Sequence, residues 1–277
     1  MKNKVKAILS AALVTMLVFT GCSSSGENNN GEGKDTFKVG LEAAYAPFNW
    51  TQKDDSNGAV KIEGSSDYAG GYDVEIAKKI ADGLGKELVI VKTEWTGLIP
   101  ALQSGTIDAI IAGMSPTAER LESIDFSDIY YKSDLVIVTK NGGDYNDAKK
   151  LADFSGAKIT GQLNTFHYSV IDQIDGVVKE TAMDDFSAMR VALESGMIDG
   201  YVTERPEGVS AEAANESFKM IELEDGFVTS EEDTAIAVGL TKGSKLTDKI
   251  NDILSEISEE DRLQIMYEAI KNQPAAQ

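Results

Sequence analysis

The sequence predicts an α/β protein of two similarly built lobes with mainly parallel sheets. Apolar runs of strand length alternate with segments of helical periodicity, a pattern typical of parallel α/β sheets. The segments 99–108 (IPALQSGTID) and 189–199 (MRVALESGMID) share one theme, a helix, Ser-Gly, an apolar residue, Asp and then a strand. This internal similarity indicates two lobes, and the chain beyond residue 35 is long enough to build two small cores.

The first half predicts strands separated by amphipathic helices. Apolar residues recur at helical spacing through 73–83, and Gly83 or Gly85 is expected to end that helix. The segment 44–50 is predicted to be an aromatic loop, and the polar, glycine-rich segment 51–69 an excursion or hairpin. The remaining predictions are strands at 37–41, 88–91, 109–112 and 135–138, and a short helix at 97–104.

The second half repeats the alternation and indicates where the lobes divide. We expect lobe one to hold 36–132 with 230–277 and lobe two to hold 133–229, joined by hinge strands near 131–134 and 226–232. The elements predicted here are strands at 158–160, 200–203 and 235–238, and helices at 166–174, 186–194, 246–257 and 259–271.

Residues 1–21 predict a secretory signal peptide. Three lysines precede an apolar run of 13 residues at 7–19, too short to span a bilayer. The run ends in FTGC at 19–22, which resembles the lipobox of bacterial lipoproteins, so Cys22 is the implied lipid anchor. The alternative is an incidental cysteine. The Gly/Ser/Asn-rich segment 22–35 disfavours it, because this composition predicts a flexible tether.

Composition excludes several classes of function. The formal net charge is −20, and it becomes −23 without the three lysines of residues 1–21, so we expect no nucleic-acid partner. Cys22 is the only cysteine and His167 the only histidine, which argues against disulfides and a zinc site. The chain lacks the phosphate-binding motif GxxxxGK[ST], and we expect no cofactor.

Three polar segments follow predicted strands, where ligands bind in α/β sheets. In 113–120 (GMSPTAER), the Arg120 fork suits a carboxylate, although a helix cap with a solvated arginine is the alternative. In 161–165 (GQLNT), free amides before a helix could attract an anion, or form an ordinary turn. Glu204, in 203–206 (TERP), could hold an ammonium group or pair with Arg205 at the surface.

These segments also carry a family resemblance. From about 37 to 271 the chain resembles the amino-acid-binding components of ABC importers, the type II solute-binding proteins. The resemblance implies the type II periplasmic-binding-protein fold, with two parallel-rich sheets joined by two hinge strands. The blocks that carry it are 45–48 (YAPF), 71–77 (GYDVEIA), 98–102 (LIPAL), 105–109 (GTIDA), 115–120 (SPTAER), 125–127 (DFS) and 198–200 (IDG).

The resemblance implies roles for individual residues around an α-amino acid. Arg120 would clamp the α-carboxylate, helped by the backbone amide of Thr165. Glu204, where the family usually has Asp, would grip the α-ammonium. The Gly113 carbonyl and the Ser115 hydroxyl would complete that shell.

Two aromatic walls and one acidic residue are implied for the side-chain pocket. Tyr45 would form one wall and Trp95 the second. An acidic residue at the position of Glu42 meets the cation in relatives that bind basic amino acids, which favours arginine or lysine. The alternative is that Glu42 faces water and the pocket takes a polar or apolar ligand such as glutamine, cystine or an aliphatic amino acid.

We therefore expect an extracytoplasmic binding component of an ABC importer that closes around one free amino acid. Its partners would be the cognate permease with its ATPase and, through the lipid anchor, the membrane, and the tether suits a Gram-positive surface. We expect a monomer without catalysis. The alternatives are a dehydratase-like enzyme, with His167 or Glu204 as its acid, and a ligand sensor; His167 alone is more typical of a structural or surface residue.

Overall fold

The computed structural model describes residues 35–274. The predicted signal peptide at 1–21 and the predicted anchor Cys22 lie outside these residues, as does all of the predicted tether except Asp35. Within 35–274, no helix combines the length and the apolar character that crossing a membrane requires.

Short strands alternate with helices, as the sequence predicts. The strands are β1 (Thr36–Leu41), β2 (Ala44–Tyr45), β3 (Asn49–Gln52), β4 (Val60–Lys61), β5 (Tyr68–Gly70), β6 (Glu87–Lys92), β7 (Ala109–Ile110), β8 (Asp125–Lys132), β9 (Leu135–Lys140), β10 (Lys158–Thr160), β11 (Val178–Lys179), β12 (Gly200–Glu204), β13 (Phe218–Ile221) and β14 (Ala235–Leu240). The α-helices are α1 (Tyr72–Leu84), α2 (Leu98–Gln103), α3 (Ala118–Ser123), α4 (Phe166–Ser169), α5 (Phe186–Glu194), α6 (Arg205–Ala214), α7 (Thr247–Ser255) and α8 (Glu259–Asn272).

The first sheet has the strand order β6-β1-β7-β14-β8. β1 runs parallel to β6 and β7, whereas β14 runs antiparallel to β7 and β8. Helix α1 buries its apolar stripe in this lobe and ends at Gly85, which has a φ of 68°. The parallel pairs follow from helical crossovers within the lobe, and the antiparallel pairs from β14, which arrives from the other lobe.

The second sheet repeats this plan with the order β11-β10-β12-β9-β13. β10 runs parallel to β11 and β12, while β9 runs antiparallel to β12 and β13. Both sheets are therefore mixed, with two parallel pairs on one side and two antiparallel pairs on the other, whereas the sequence predicts mainly parallel sheets. The repeated order explains why similar sequence segments precede β7 and β12.

The chain passes between the two sheets twice. It leaves the first sheet at 133–134, between β8 and β9, and returns through 222–234, between β13 and β14. The two passages touch, because the Ser133 amide donates to the Thr234 carbonyl at 3.0 Å. The second passage contains no strand, so the predicted hinge at 226–232 is irregular backbone. The lobe limits at 132/133 and 229/230 stay predictions.

A four-stranded sheet of order β2-β3-β5-β4 occupies the region predicted to be a loop and a hairpin. It presents Phe48 and Trp50 to the core of the first lobe, where both are buried. Gly71, with a φ of 123°, lies directly behind it, and a Cβ there would meet the Phe48 carbonyl oxygen at 2.3 Å. The sheet fixes Tyr45, at the end of β2, against the cleft.

Several further elements depart from the sequence predictions, and the short strands β11 and β13 are among those not predicted. β8 is a strand of eight residues that was not predicted, because its many polar residues obscure the apolar pattern typical of a strand. Its partner β14 lies about a hundred positions away, so no local signal indicates the pairing. Helix α6 was not predicted either; it starts at Arg205 with Pro206 in its first turn. The predicted helix 166–174 is α4 followed by a 3₁₀ turn, Val170–Gln173.

Candidate functional site

The carboxyl ends of strands from both sheets meet in a cleft. Glu42 directly follows β1 and Ser115 lies shortly after β7, so both stand at one edge of the first sheet. The turn 161–165 follows β10 and Glu204 ends β12, at the matching edge of the second sheet. Parallel strands end at a common edge, which is why residues far apart in sequence converge.

Tyr45 enters the cleft from the small sheet and packs tightly against Gly113. Gly113 adopts a φ of 62°, and a Cβ on it would lie 2.7 Å from Cε1 of Tyr45. The Tyr45 ring also stacks on Phe186 of the opposite lobe, with ring centroids 4.2 Å apart and planes 10° apart. The aromatic pair therefore closes one side of the cleft.

Arg120 lies in the cleft and is half-buried. The Thr117 hydroxyl accepts a hydrogen bond from the Arg120 amide and caps α3. The helix cap named as the alternative is therefore present, but the Arg120 side chain is not solvated as that alternative supposed. The guanidinium donates to the carbonyls of Ser115, at 2.9 Å, and Asn164, at 3.1 Å, and lies 5.1 Å from the ring centroid of Trp95. Burial lowers the pKa of Arg120 to about 10, and it remains a cation at neutral pH.

The turn 161–165 brings the second lobe to Arg120. Asn164 adopts a φ of 58°, a conformation that asparagine tolerates better than most residues. The Thr165 hydroxyl donates to the Gln162 carbonyl at 2.7 Å and closes the turn. Thr165 itself is buried and occupies the N-cap position directly before α4.

Glu204 is the buried carboxylate at the base of the cleft. One of its oxygens, Oε2, accepts a hydrogen bond from the Tyr45 hydroxyl. The other, Oε1, lies 2.9 Å from Nε2 of His167, an ion-pair distance at which the ring is not aligned for a hydrogen bond. Burial acts to raise the pKa of Glu204, but the charge of His167 and the Tyr45 hydrogen bond outweigh it and lower that pKa.

Glu42 is buried on the side of the cleft where Gln162 approaches. Gln162 Nε2 donates to Oε2 of Glu42 at 3.0 Å, whereas Oε1 has no hydrogen-bond partner among the described residues. Burial and the nearby charge of Asp185 raise the pKa of Glu42 to about 8, and Glu94 and Asp73 add to the effect. The buried, unpaired oxygen and the surrounding carboxylates make this end of the cleft suited to a cation.

A buried network behind the cleft holds its first-lobe loops. Asp73 accepts from Asn49 Nδ2 at 2.8 Å and from the Tyr130 hydroxyl at 2.7 Å. Asn49 Oδ1 in turn accepts from the Ala43 amide at 2.8 Å, next to Glu42. Burial raises the pKa of Asp73 to about 6, although these two hydrogen bonds act to lower it.

The structure brings the predicted cleft residues together. The residues that line the cleft leave a cavity of only about 10 Å³, and Glu42 and Glu204 contact that lining through Gln162 and His167. Cys22, the predicted anchor, is outside the described residues. The lining residues are Tyr45, Trp95, Gly113, Ser115, Arg120, Gln162, Thr165, Phe166 and His167.

Three residues that line the cleft were not among those predicted: Gln162, Phe166 and His167. Gln162 lies in the predicted anion-binding turn, but only the closed arrangement shows that its amide meets Glu42. His167 was expected to be structural or on the surface, yet it is 4% exposed and lines the cavity. Its closeness in sequence to Thr165 was the available signal, because the start of α4 borders the cleft.

Known proteins are similar to this chain in sequence and architecture. The arginine-binding extracellular protein ArtP of Bacillus subtilis is 28% identical over 281 residues, which cover 95% of this chain and 96% of the relative. A solved ancestral arginine-binding protein bound to arginine is 33% identical with a TM-score of 0.69, covering 85% of this chain and 98% of that chain. The structure of an ancestral arginine-binding protein bound to glutamine is 31% identical, also with a TM-score of 0.69, covering 87% and 99%.

These solved proteins have the two-lobed type II periplasmic-binding-protein fold that the resemblance implied, and the prediction of the fold class is confirmed. The family match extends over residues 37–271, almost all of the described chain. The chain belongs to the bacterial extracellular solute-binding proteins, family 3.

Proposed function

We propose that this protein binds a free amino acid with a cationic side chain, arginine or lysine, between its two lobes. The observation that carries the proposal is Glu42, a buried carboxylate with one unpartnered oxygen among the described residues and three further carboxylates acting on it. A guanidinium or ammonium group there would neutralise Glu42 and satisfy that oxygen. The arginine-binding relatives named above support the same substrate class.

The backbone of the ligand would lie across both lobes. Arg120, which now donates to two backbone carbonyls, has the planar fork that a carboxylate accepts, and the Thr165 amide would assist it. Glu204 would take the α-ammonium, with the Gly113 carbonyl and Ser115 hydroxyl beside it. Tyr45 and Trp95 would form the side-chain walls. Because the clamp residues come from both lobes, only the closed form completes the shell.

An amino acid with an amide side chain, such as glutamine, is the second candidate. A Glu42 with a pKa of about 8 is largely protonated at neutral pH when no ligand is present, and a neutral carboxyl can both donate to and accept from an amide. The glutamine-bound ancestral structure supports this alternative. A cationic ligand favours an ionised Glu42, whereas an amide ligand can bind to the neutral carboxyl. An experiment can therefore distinguish the two ligands by changing the charge of Glu42.

We further propose that the loaded protein delivers its ligand to an ABC permease as a monomer anchored through Cys22 on the outer face of the cell membrane. The family description supports the extracellular location. The lipobox-like segment 19–22 and the tether support the anchor, and the tether suits a Gram-positive surface. Globomycin inhibition of processing, or metabolic labelling with a fatty acid compared between wild type and Cys22→Ser, tests the anchor.

The ligand is tested by thermal shift on the chain from residue 36, after unfolding and refolding to remove bound ligand. The panel is the twenty amino acids with ornithine and cystine, followed by calorimetry on those that bind. A ligand that binds only the native state raises the melting temperature. We expect shifts with arginine, lysine or ornithine that Glu42→Gln abolishes. A shift with glutamine that survives Glu42→Gln would replace the cationic ligand, and no shift would contradict amino-acid binding.

A further inference from the structure

His167 occupies the position in the cleft where a ligand group would approach Glu204. It is the second residue of α4, is 4% exposed and lies with its ring centroid 4.4 Å from that of Phe166. Its Nε2 is 2.9 Å from Oε1 of Glu204. Apart from this contact of Nε2 with Glu204, neither ring nitrogen has a polar partner within 35–274. An unsatisfied polar ring in a buried cavity needs an explanation.

The chain's own groups occupy both oxygens of Glu204. The Tyr45 hydroxyl donates to Oε2, and the His167 ring stands at Oε1. Other charged groups act from further away, Arg120 from the same cavity and Asp73 from behind the cleft. The other side chains packed on the ring, Phe166 and Phe186, carry no charge. His167 is therefore the basic side chain closest to the proposed ammonium-binding carboxylate.

We propose that His167 is a ligand-recognition residue that competes with the α-ammonium of the amino acid for Glu204. This inference rests on the proposed function, because it takes Glu204 as the ammonium site. An entering ammonium must displace the imidazole from Oε1. A charged ring loses its ion pair in that exchange and is favoured to release its proton, whereas a neutral ring can turn a nitrogen to the ammonium and accept from it.

This competition has a consequence for binding at mildly acid pH. When ligand binding releases a proton, affinity falls as pH falls, by at most about tenfold per pH unit for one fully coupled proton. Glu42 makes a contribution of the same sign for a cationic ligand, because its carboxyl must also lose a proton. The contribution of His167 is therefore the difference in the pH dependence of affinity between the wild type and a variant that lacks His167 but keeps Glu42.

The first experiment observes the ring directly in the wild-type protein. His167 is the only histidine in the chain, so a protein with no polyhistidine tag and with labelled histidine gives one set of imidazole resonances. Spectra are recorded at pH 6 before and after saturation with arginine. We expect the resonances to move toward those of a neutral ring on binding. Imidazole resonances that stay unchanged at saturation would overturn the inference.

The second experiment measures arginine affinity by calorimetry at pH 7.5 and 5.5, in buffers with different ionisation enthalpies, for wild type, His167→Gln and His167→Phe. His167→Phe retains an aromatic ring between Phe166 and Phe186. We expect the wild type to lose about tenfold more affinity than either variant on acidification, and to release more protons at pH 5.5. Equal losses and equal proton release would contradict the role of His167.

Arginine binding by Glu204→Gln distinguishes a failure of the proposed function from a failure of the inference about His167. If Glu204→Gln binds arginine as tightly as wild type, Glu204 is not the ammonium site, and both the assignment and the inference fail. If Glu204→Gln binds far more weakly while the histidine variants keep the wild-type pH dependence, the assignment stands and the inference alone is wrong. If the wild type binds no amino acid, the proposed function itself fails.

Discussion

The Tyr45 hydroxyl donates a hydrogen bond to Oε2 of Glu204, and this bond joins two lobes through residues 159 positions apart in sequence. Tyr45 reaches the cleft from β2 and Glu204 from the end of β12. Both are buried, and burial together with the adjacent carboxylate raises the pKa of Tyr45, so the hydroxyl remains a donor at any physiological pH. The closed arrangement thus has a stabilising contact that needs no ligand.

Tyr45→Phe should weaken this closed arrangement. The change leaves the ring stacked on Phe186 but leaves Oε2 of Glu204 without its donor. We expect the free energy of unfolding of the ligand-free protein to fall by about 1–2 kcal/mol, measured by urea denaturation. Tyr168→Phe is the matched control, since its half-buried ring contacts Lys179 and lies outside the cavity. Equal stabilities of the two variants would contradict the role of the Tyr45 hydroxyl.

Arg120→Lys should weaken ligand binding while retaining the positive charge. Lysine has no planar fork, so it cannot make two parallel hydrogen bonds to a carboxylate. We expect a loss of about 2 kcal/mol, or roughly 30-fold in Kd for arginine, measured by calorimetry. Arg262→Lys is the control, because Arg262 donates to backbone carbonyls of the first lobe away from the cavity. Unchanged affinity in Arg120→Lys would rule out the proposed carboxylate clamp.

Glu42 should make the stability of the empty protein depend on pH. Its folded-state pKa of about 8 is raised from 4.5, so the folded protein binds more protons than the unfolded chain between these values. Stability from this group therefore rises as pH falls from 8 toward 5, and it is lost as pH rises through 8. We expect Glu42→Gln to remove part of this dependence and to raise the unfolding midpoint at pH 8. An unchanged pH profile in that variant would contradict a protonated Glu42.

Asp73→Asn should weaken the hydrogen-bond network behind the cleft. Asp73→Asn puts an amide where two donors, Asn49 and Tyr130, now meet a carboxylate. We expect a loss of about 2 kcal/mol in unfolding free energy and weaker arginine binding, since Asn49 holds the backbone beside Glu42.

The reversed pair, Asp73→Asn with Asn49→Asp, provides the rescue. The amide introduced at position 73 can donate to the carboxylate introduced at position 49, while the Ala43 amide and the Tyr130 hydroxyl keep acceptors. We expect the double variant to recover part of both stability and affinity, measured as the coupling in a double-mutant cycle. If the two substitutions lower stability additively, the network does not act as a unit.

Local pattern was sufficient for helices such as α1 and α5 and for several central strands. The apolar stripe of α1 and the buried runs of β1, β9 and β14 can be recognised in the sequence. Burial on one or both faces of such an element requires apolar residues at fixed spacing. Of the small sheet of β2 to β5, the sequence predicted only an excursion or hairpin at 51–69. Its strands have two to four residues each, and its stability comes from pairing and from packing on the first lobe.

By itself the sequence determined the fold class, the family and the polar residues that follow each strand, because these depend on short-range pattern and on motif order along the chain. Only the tertiary structure decided which of those residues meet. Gln162 facing Glu42, and His167 and Tyr45 sharing Glu204, are contacts between lobes. No local propensity encodes such contacts, because they depend on how two separately folded sheets close on each other.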